Sequence, residues 1–125
     1  MNDAIWPREW LRGVLPLCTL AIIESDEETY GYAITQRLKG AGLGVIKGGT
    51  LYPILARLES DGLITSTWRG GDTGPGRRYV AITEAGREYL VEQAARWRQL
   101  SRHAEGLLVT ATPCREQLDI SKETP

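Results

Sequence analysis

The sequence predicts a mainly helical fold carrying one small β-hairpin. Three observations point there. Three short segments before residue 62 repeat apolar residues at helical spacing, two β-branched runs then flank a glycine-rich turn, and a long heptad-like stretch follows. The chain has 125 residues, 42% of them apolar, which suits one small domain with a modest core. A core of that size leaves room for dimerisation to supply further burial.

The first helical stripe is Leu11, Val14, Leu15, Cys18 and Ile22. Pro16 lies inside it and predicts either a kink or a break after a short segment at 4–12. The acidic stretch "ESDEE", 24–28, ends it. The second helix is expected over 29–39, with Tyr30, Ile34 and Leu38 on one face and Thr29 as N-cap. "GAGLGVIKGG" then interrupts the pattern with five glycines in ten residues. It satisfies neither the P-loop nor the G-x-G-x-x-G spacing, so it reads as a flexible turn.

A third helix is expected over about 50–61. Leu51, Ile54, Leu55 and Leu58 form its core face, and Thr50, Pro53, Ala56, Arg57 and Ser60 point away. With Gly49 or Thr50 as N-cap, Pro53 falls in the first turn, where its missing N–H has no helical partner to lose. Tyr52, just before the proline, is pushed away from helical dihedrals. Gly62 ends the helix. "LITSTWR", 63–69, and "RRYVAIT", 77–83, read as strands joined by "GGDTGPG", a hairpin with a basic tip. Thr83 caps a last helix over 84–108, with Glu84 in its first turn. Leu90, Ala94, Trp97, Ser101, Ala104 and Leu108 form a seam along it. At 1.5 Å per residue that helix is about 37 Å long, more than three short helices cover. Residues 109–125 have no period and read as a loose tail.

The charge is unevenly spread. The net charge is −1, yet 47–57 carries Lys47 and Arg57 with no acid, and 67–80 carries Arg69, Arg77 and Arg78 against Asp72. The order helix, helix, helix, strand, basic turn, strand is that of a winged helix-turn-helix with a long C-terminal helix appended. Recognition helices touch base edges with their N-terminal residues, which here are Thr50, Tyr52 and Pro53, with Arg57 one turn later. The wing lays Arg77 and Arg78 beside phosphate or a minor groove. With Tyr30 and Lys47 these make the candidate DNA-binding set, although Tyr30 also suits a core or interface position.

The chain resembles the PadR-like transcriptional regulators. The resemblance rests on "YGYAI" at 30–34, "GTLYPILARLESDGLI" at 49–64, "GRRYVAIT" at 76–83 and "EAGREYL" at 84–90. It is nearest the small members with a single C-terminal helix, which are similar to multidrug-responsive repressors. That likeness implies a homodimer, in which each C-terminal helix packs on its mate and on the other subunit's N-terminal helix. It further implies repression through palindromic double-stranded operators, released by small planar aromatic or cationic ligands. The ligand set implied is Trp97 at the helix centre, flanked by Ala94 and Ser101, with Trp10 and Leu17 from the partner. Two features depart from the family pattern: the acidic run before helix two, expected to weaken DNA binding or steepen its salt dependence, and Pro16.

Other classes are less well supported. A winged helix used for protein–protein contact has no need of a basic wing tip. An enzyme lacks a paired nucleophile and base, because the single histidine, His103, has no Ser or Cys partner in sequence. His103 is also far from Cys18 and Cys114, so neither a metal nor another cofactor is expected. The two cysteines make no disulfide framework, and Cys18 is expected to be a buried free thiol. No apolar run reaches membrane-spanning length and the N-terminus does not resemble a signal peptide, so a cytoplasmic protein is the expectation.

Overall fold

The computed structural model describes residues 6–70 and 76–111. Among these residues four helices and three strands follow one another: α1 (Arg8–Asp26), β1 (Thr29–Tyr30), α2 (Gly31–Gly40), α3 (Gly48–Ser60), β2 (Ile64–Arg69), β3 (Arg77–Ile82) and α4 (Glu84–Leu108). A 3-10 turn, Val109–Ala111, ends the described chain, and the remainder of the expected tail lies outside the described residues. The chain divides within α4 into two compact units, Met1–Glu92 and Gln93–Pro125. No helix among the described residues is long and apolar enough to cross a membrane.

The first unit holds the core. Leu15, Leu20 and Ile23 of α1 are buried with Ile34 and Leu38 of α2, Leu51, Leu55 and Leu58 of α3, and Ile64, Val80 and Ile82 of the sheet. The α1 face differs from the expected stripe. Thr19, Leu20 and Ile23 are buried, whereas Leu11, Val14 and Cys18 are only partly so. Cys18 is therefore a half-buried free thiol, and burial pushes its pKa up. Cys114 lies outside the described residues. Pro16 does not break the helix, which is continuous from Arg8 to Asp26. The proline removes the donor that would serve the carbonyl of Arg12. Buried side chains on the C-terminal side of Pro16, and Leu15 beside it, hold the helical path through it.

Thr29 also differs from the expectation. It is not the cap of α2 but the first residue of β1, and Tyr30 is the extended N-cap. Thr29 pairs with Val80 and Tyr30 with Tyr79, so the expected hairpin is a three-stranded antiparallel sheet in the order β1-β3-β2. In the second pair, Ile64 lies opposite Ile82 and Arg69 opposite Arg77. The expected tip of the turn, 71–75, lies outside the described residues.

Helices α2 and α3 end alike. In α2, Leu43 donates its N–H to the Leu38 carbonyl at 3.0 Å, and Gly42 donates to Lys39 at 3.1 Å. In α3, Leu63 donates to Leu58 at 2.9 Å and Gly62 to Glu59 at 3.0 Å. Both glycines have positive φ, 95° and 78°, which an L side chain rarely adopts. The second reversal delivers Leu63 into the core and starts β2. Thr83 then ties α3 to α4. Its Oγ1 accepts the Gly86 N–H at 2.9 Å as an N-cap and donates to the Gly62 carbonyl at 2.8 Å.

Candidate nucleic-acid interface

Helix α3 begins earlier than the sequence predicts. Lys47 is the N-cap, in extended conformation, and it accepts from the N–H groups of Thr50 and Leu51 at 2.9 and 3.0 Å. Pro53 is therefore in the second turn, not the first. By helical geometry the carbonyl that loses its donor is that of Gly49. Gly49, Thr50 and Pro53 are exposed, so water or a ligand can reach that end of the helix. No acid lies in the first turn, whose N–H groups carry the positive end of the helix dipole. Arg57 projects one turn further along with its side chain 81% exposed. Its nearest acid is Asp61 at 3.7 Å, a loose surface pair of little energetic weight.

Tyr52 belongs partly to packing and partly to the surface. Its ring lies so close to Gly31 and Gly48 that a Cβ on Gly31 would come within 2.6 Å of Oη and one on Gly48 within 3.0 Å of Cε2. The two glycines thus form the seat of the ring, although the residue remains 58% exposed. This arrangement sets up a clean test. Gly31→Ala should displace the far end of a flexible side chain, and Ala is also the better helix former at this position. Thermal stability should therefore change little. If Tyr52 reaches a base, the same substitution should weaken DNA binding by roughly 1–3 kcal/mol, as Tyr52→Ala would. A Gly31→Ala protein with a displaced ring and wild-type affinity would assign Tyr52 to packing alone.

On the sheet, strand parity decides which basic side chains act together. Successive residues point to opposite faces, and directly paired residues share one. Val80 and Ile82 face the core, so Arg78 shares their side of β3, opposite Trp68. Arg77 lies on the other face with Tyr79, opposite Arg69. Arg77 and Arg78, grouped together in the sequence, thus diverge. Arg69, absent from the expected set, becomes the neighbour of Arg77. Pairing numbers could have found it, but they require the length of the turn. Tyr30 is half-buried on this outer face, edge-to-face with Tyr79 at 5.4 Å between centroids.

The acidic run is not a free field of negative charge. Asp26 pairs with Arg37 of α2, and Glu28 pairs with Arg69 of β2. Two further basic residues come forward on α1. Arg8 and Arg12, with Lys47 and Arg57, line a groove of about 1330 Å³ whose floor includes Leu11, Ile54 and Leu58. The Trp6 indole N–H donates to the Gly42 carbonyl at 2.9 Å at the edge of this groove.

The residues expected to bind a small ligand lie in different units. In the first, Trp10 is 66% exposed and Leu17 is half-buried. In the second, Ala94 and Ser101 are half-buried and Trp97 is 47% exposed.

Known proteins are similar to this chain in sequence and fold. The chain is 43% identical to a transcriptional regulator of Mycobacterium tuberculosis over 82 residues, 66% of this chain and 75% of that one. A PadR-like transcriptional regulator from Bacillus cereus superposes with a TM-score of 0.69 at 38% identity, covering 80% of this chain and 96% of that one. A PadR family transcriptional regulator from Eggerthella lenta gives a TM-score of 0.72 at 37% identity, over 80% and 86% of the two chains. The family model for transcriptional regulators of the PadR-like family matches residues 19–92, which include β1, α2, α3 and both strands of the wing. The chain therefore belongs to the PadR-like family of transcriptional regulators.

Proposed function

We propose that this regulator binds palindromic operator DNA as a homodimer, represses transcription there, and is released by a small planar aromatic or cationic compound. The observation that carries the DNA reading is the start of α3. It is exposed, free of acid, and lined by Lys47, Thr50, Pro53 and Arg57, with no acidic side chain in its first turn. Thr50 and Tyr52 are the base-reading candidates, and Arg57, Arg77 and Arg78 the phosphate contacts. Because Arg77 and Arg78 diverge, each takes a different phosphate. The dimer is supported by the exposed apolar side chains of the second unit, Trp97, Leu100, Leu107 and Leu108. The ligand reading is supported by an indole with small neighbours, a good face for flat rings and for cations.

Salt titration of binding to duplex DNA tests the DNA reading. Wild-type affinity should fall steeply with salt. The Arg77→Ala, Arg78→Ala double variant should bind all sequences more weakly, with a slope shallower by about one to two units per subunit. A double variant that matches wild type at every salt concentration removes the wing from the interface. Wild type that ignores duplex DNA at low salt favours a winged helix devoted to protein partners.

A further inference from the structure

We infer that Arg69 and Arg77 form a phosphate clamp on the outer face of the sheet, and that Glu28, paired with Arg69, holds one half of it as a built-in stand-in for the phosphate. The inference rests on the DNA-binding reading and adds to it a site and a mode of control.

The first observation is an energetic conflict. Arg69 and Arg77 are directly paired across β2 and β3, so their two cationic side chains leave the sheet on one face. Like charges in that position repel. The structure shows what offsets the repulsion. Arg69 lies over the Tyr79 ring and Arg77 over the Tyr30 ring, each guanidinium carbon 4.4 Å from the ring centroid. The two rings belong to paired residues and pack edge-to-face, so they form one aromatic platform beneath both cations. The platform positions the arginines without neutralising them.

The second observation is the counter-ion. Glu28 donates no chain contact of its own to the sheet ladder. It precedes β1 and reaches Arg69 through a carboxylate oxygen. The carboxylate thus pairs with Arg69, one of two adjacent arginines, and among the described residues Arg77 has no acid paired with it. A phosphodiester oxygen pair has the same charge and the planar, bidentate demand that guanidinium groups meet well. Arg69 is 51% and Glu28 42% exposed at the side chain, so an incoming phosphate can reach the pair and displace the carboxylate.

Asp26 has a different place. It holds Arg37 of α2 and is only 25% exposed at the side chain. That pair reads as an anchor between the end of α1 and α2. Glu28 alone competes for the clamp. Glu28 therefore acts on DNA binding through a specific pair, whereas Glu24 and Glu27, with no ion pair among the described residues, act only through their charge.

Titration of a mixed-sequence duplex with four proteins tests this: wild type, Glu28→Gln, Glu27→Gln and Glu28→Gln combined with Arg69→Ala. Glu27 has no ion pair among the described residues and reports the generic effect of removing one negative charge. Glu28→Gln should tighten binding about threefold to fivefold beyond Glu27→Gln, the weight of one exposed ion pair. Its salt slope should steepen by about one unit per subunit. The excess should vanish when Arg69 is also replaced, and Arg69→Gln serves as a second background if Ala loosens the wing. Equal gains from Glu28→Gln and Glu27→Gln, or a gain that persists without Arg69, overturn the clamp while the DNA reading stands. If none of the four proteins binds duplex at low salt, the DNA reading falls and the clamp with it.

Discussion

Replacing Gly86 by alanine is expected to lower stability by roughly 3 kcal/mol, at the upper end for overpacking a well-filled site. An added Cβ there would stand 2.1 Å from the Leu63 carbonyl oxygen and 2.7 Å from Cγ1 of Ile82. Neither neighbour can give way. The Leu63 carbonyl already accepts the Thr83 N–H at 3.0 Å, and Ile82 is a buried core residue opposite Ile64. Helix propensity pulls the other way, because Ala exceeds Gly by about 1 kcal/mol inside a helix. The overlap wins at Gly86. At Gly106, near the other end of the same helix, nothing lies within 4 Å of the added carbon. There propensity acts alone, and Gly106→Ala should stabilise by up to about 1 kcal/mol. Denaturant unfolding at matched protein concentration checks both signs. Stabilisation by both substitutions would mean that α4 does not start against Leu63 as described.

The second large effect is expected at Trp97. Trp97→Asp should convert the proposed dimer into monomers and reduce operator affinity by more than about 100-fold, equivalent to nearly 3 kcal/mol. Trp97 lies on the seam that includes Ala94, Ser101, Ala104 and Leu108. On a two-fold axis that seam meets its own copy, so one substitution buries two carboxylates against each other. The same helix exposes Leu100 and Leu107 at 65% and 78%, so the seam is not the whole of the available apolar surface. Light scattering reads the mass directly. A wild-type monomer at micromolar concentration would sink the dimer, and a dimeric Trp97→Asp protein would move the interface elsewhere. Trp97→Ala separates the two readings of the seam. If the indoles line an open pocket, the variant loses affinity for a planar cationic dye with little change in melting temperature. If they interlock as core, it loses roughly 3–5 kcal/mol of stability and wild type ignores the dye.

Several elements were legible because they depend on local chemistry. The α4 range of 84–108 follows from a threonine cap and a sustained apolar period, and the helix spans Glu84–Leu108. The strands of the wing follow from β-branched runs on either side of a glycine-rich turn, and they occupy Ile64–Arg69 and Arg77–Ile82. The end of α3 follows from one glycine able to take positive φ. In each case neighbours in sequence supply the stabilising contacts, so the pattern alone carries the information.

What the sequence by itself determined is thus the order of the four helices and the two wing strands, the winged helix-turn-helix and the family. The tertiary structure decided where charges and faces meet. Thr29 reads as a cap, yet β3 offers it a ladder partner and makes it a strand. Pro16 reads as a kink or a break, yet burial of the residues after it carries one helix through from Arg8 to Asp26. Arg77 and Arg78 are adjacent in sequence and diverge on the strand, whereas Arg69 comes beside Arg77 from the other side of the turn. The acidic run reads as a repulsive field, yet Asp26 and Glu28 each meet an arginine distant in sequence. Cross-strand register and long-range ion pairing join residues that no local period relates, and for that reason only the folded chain could show them.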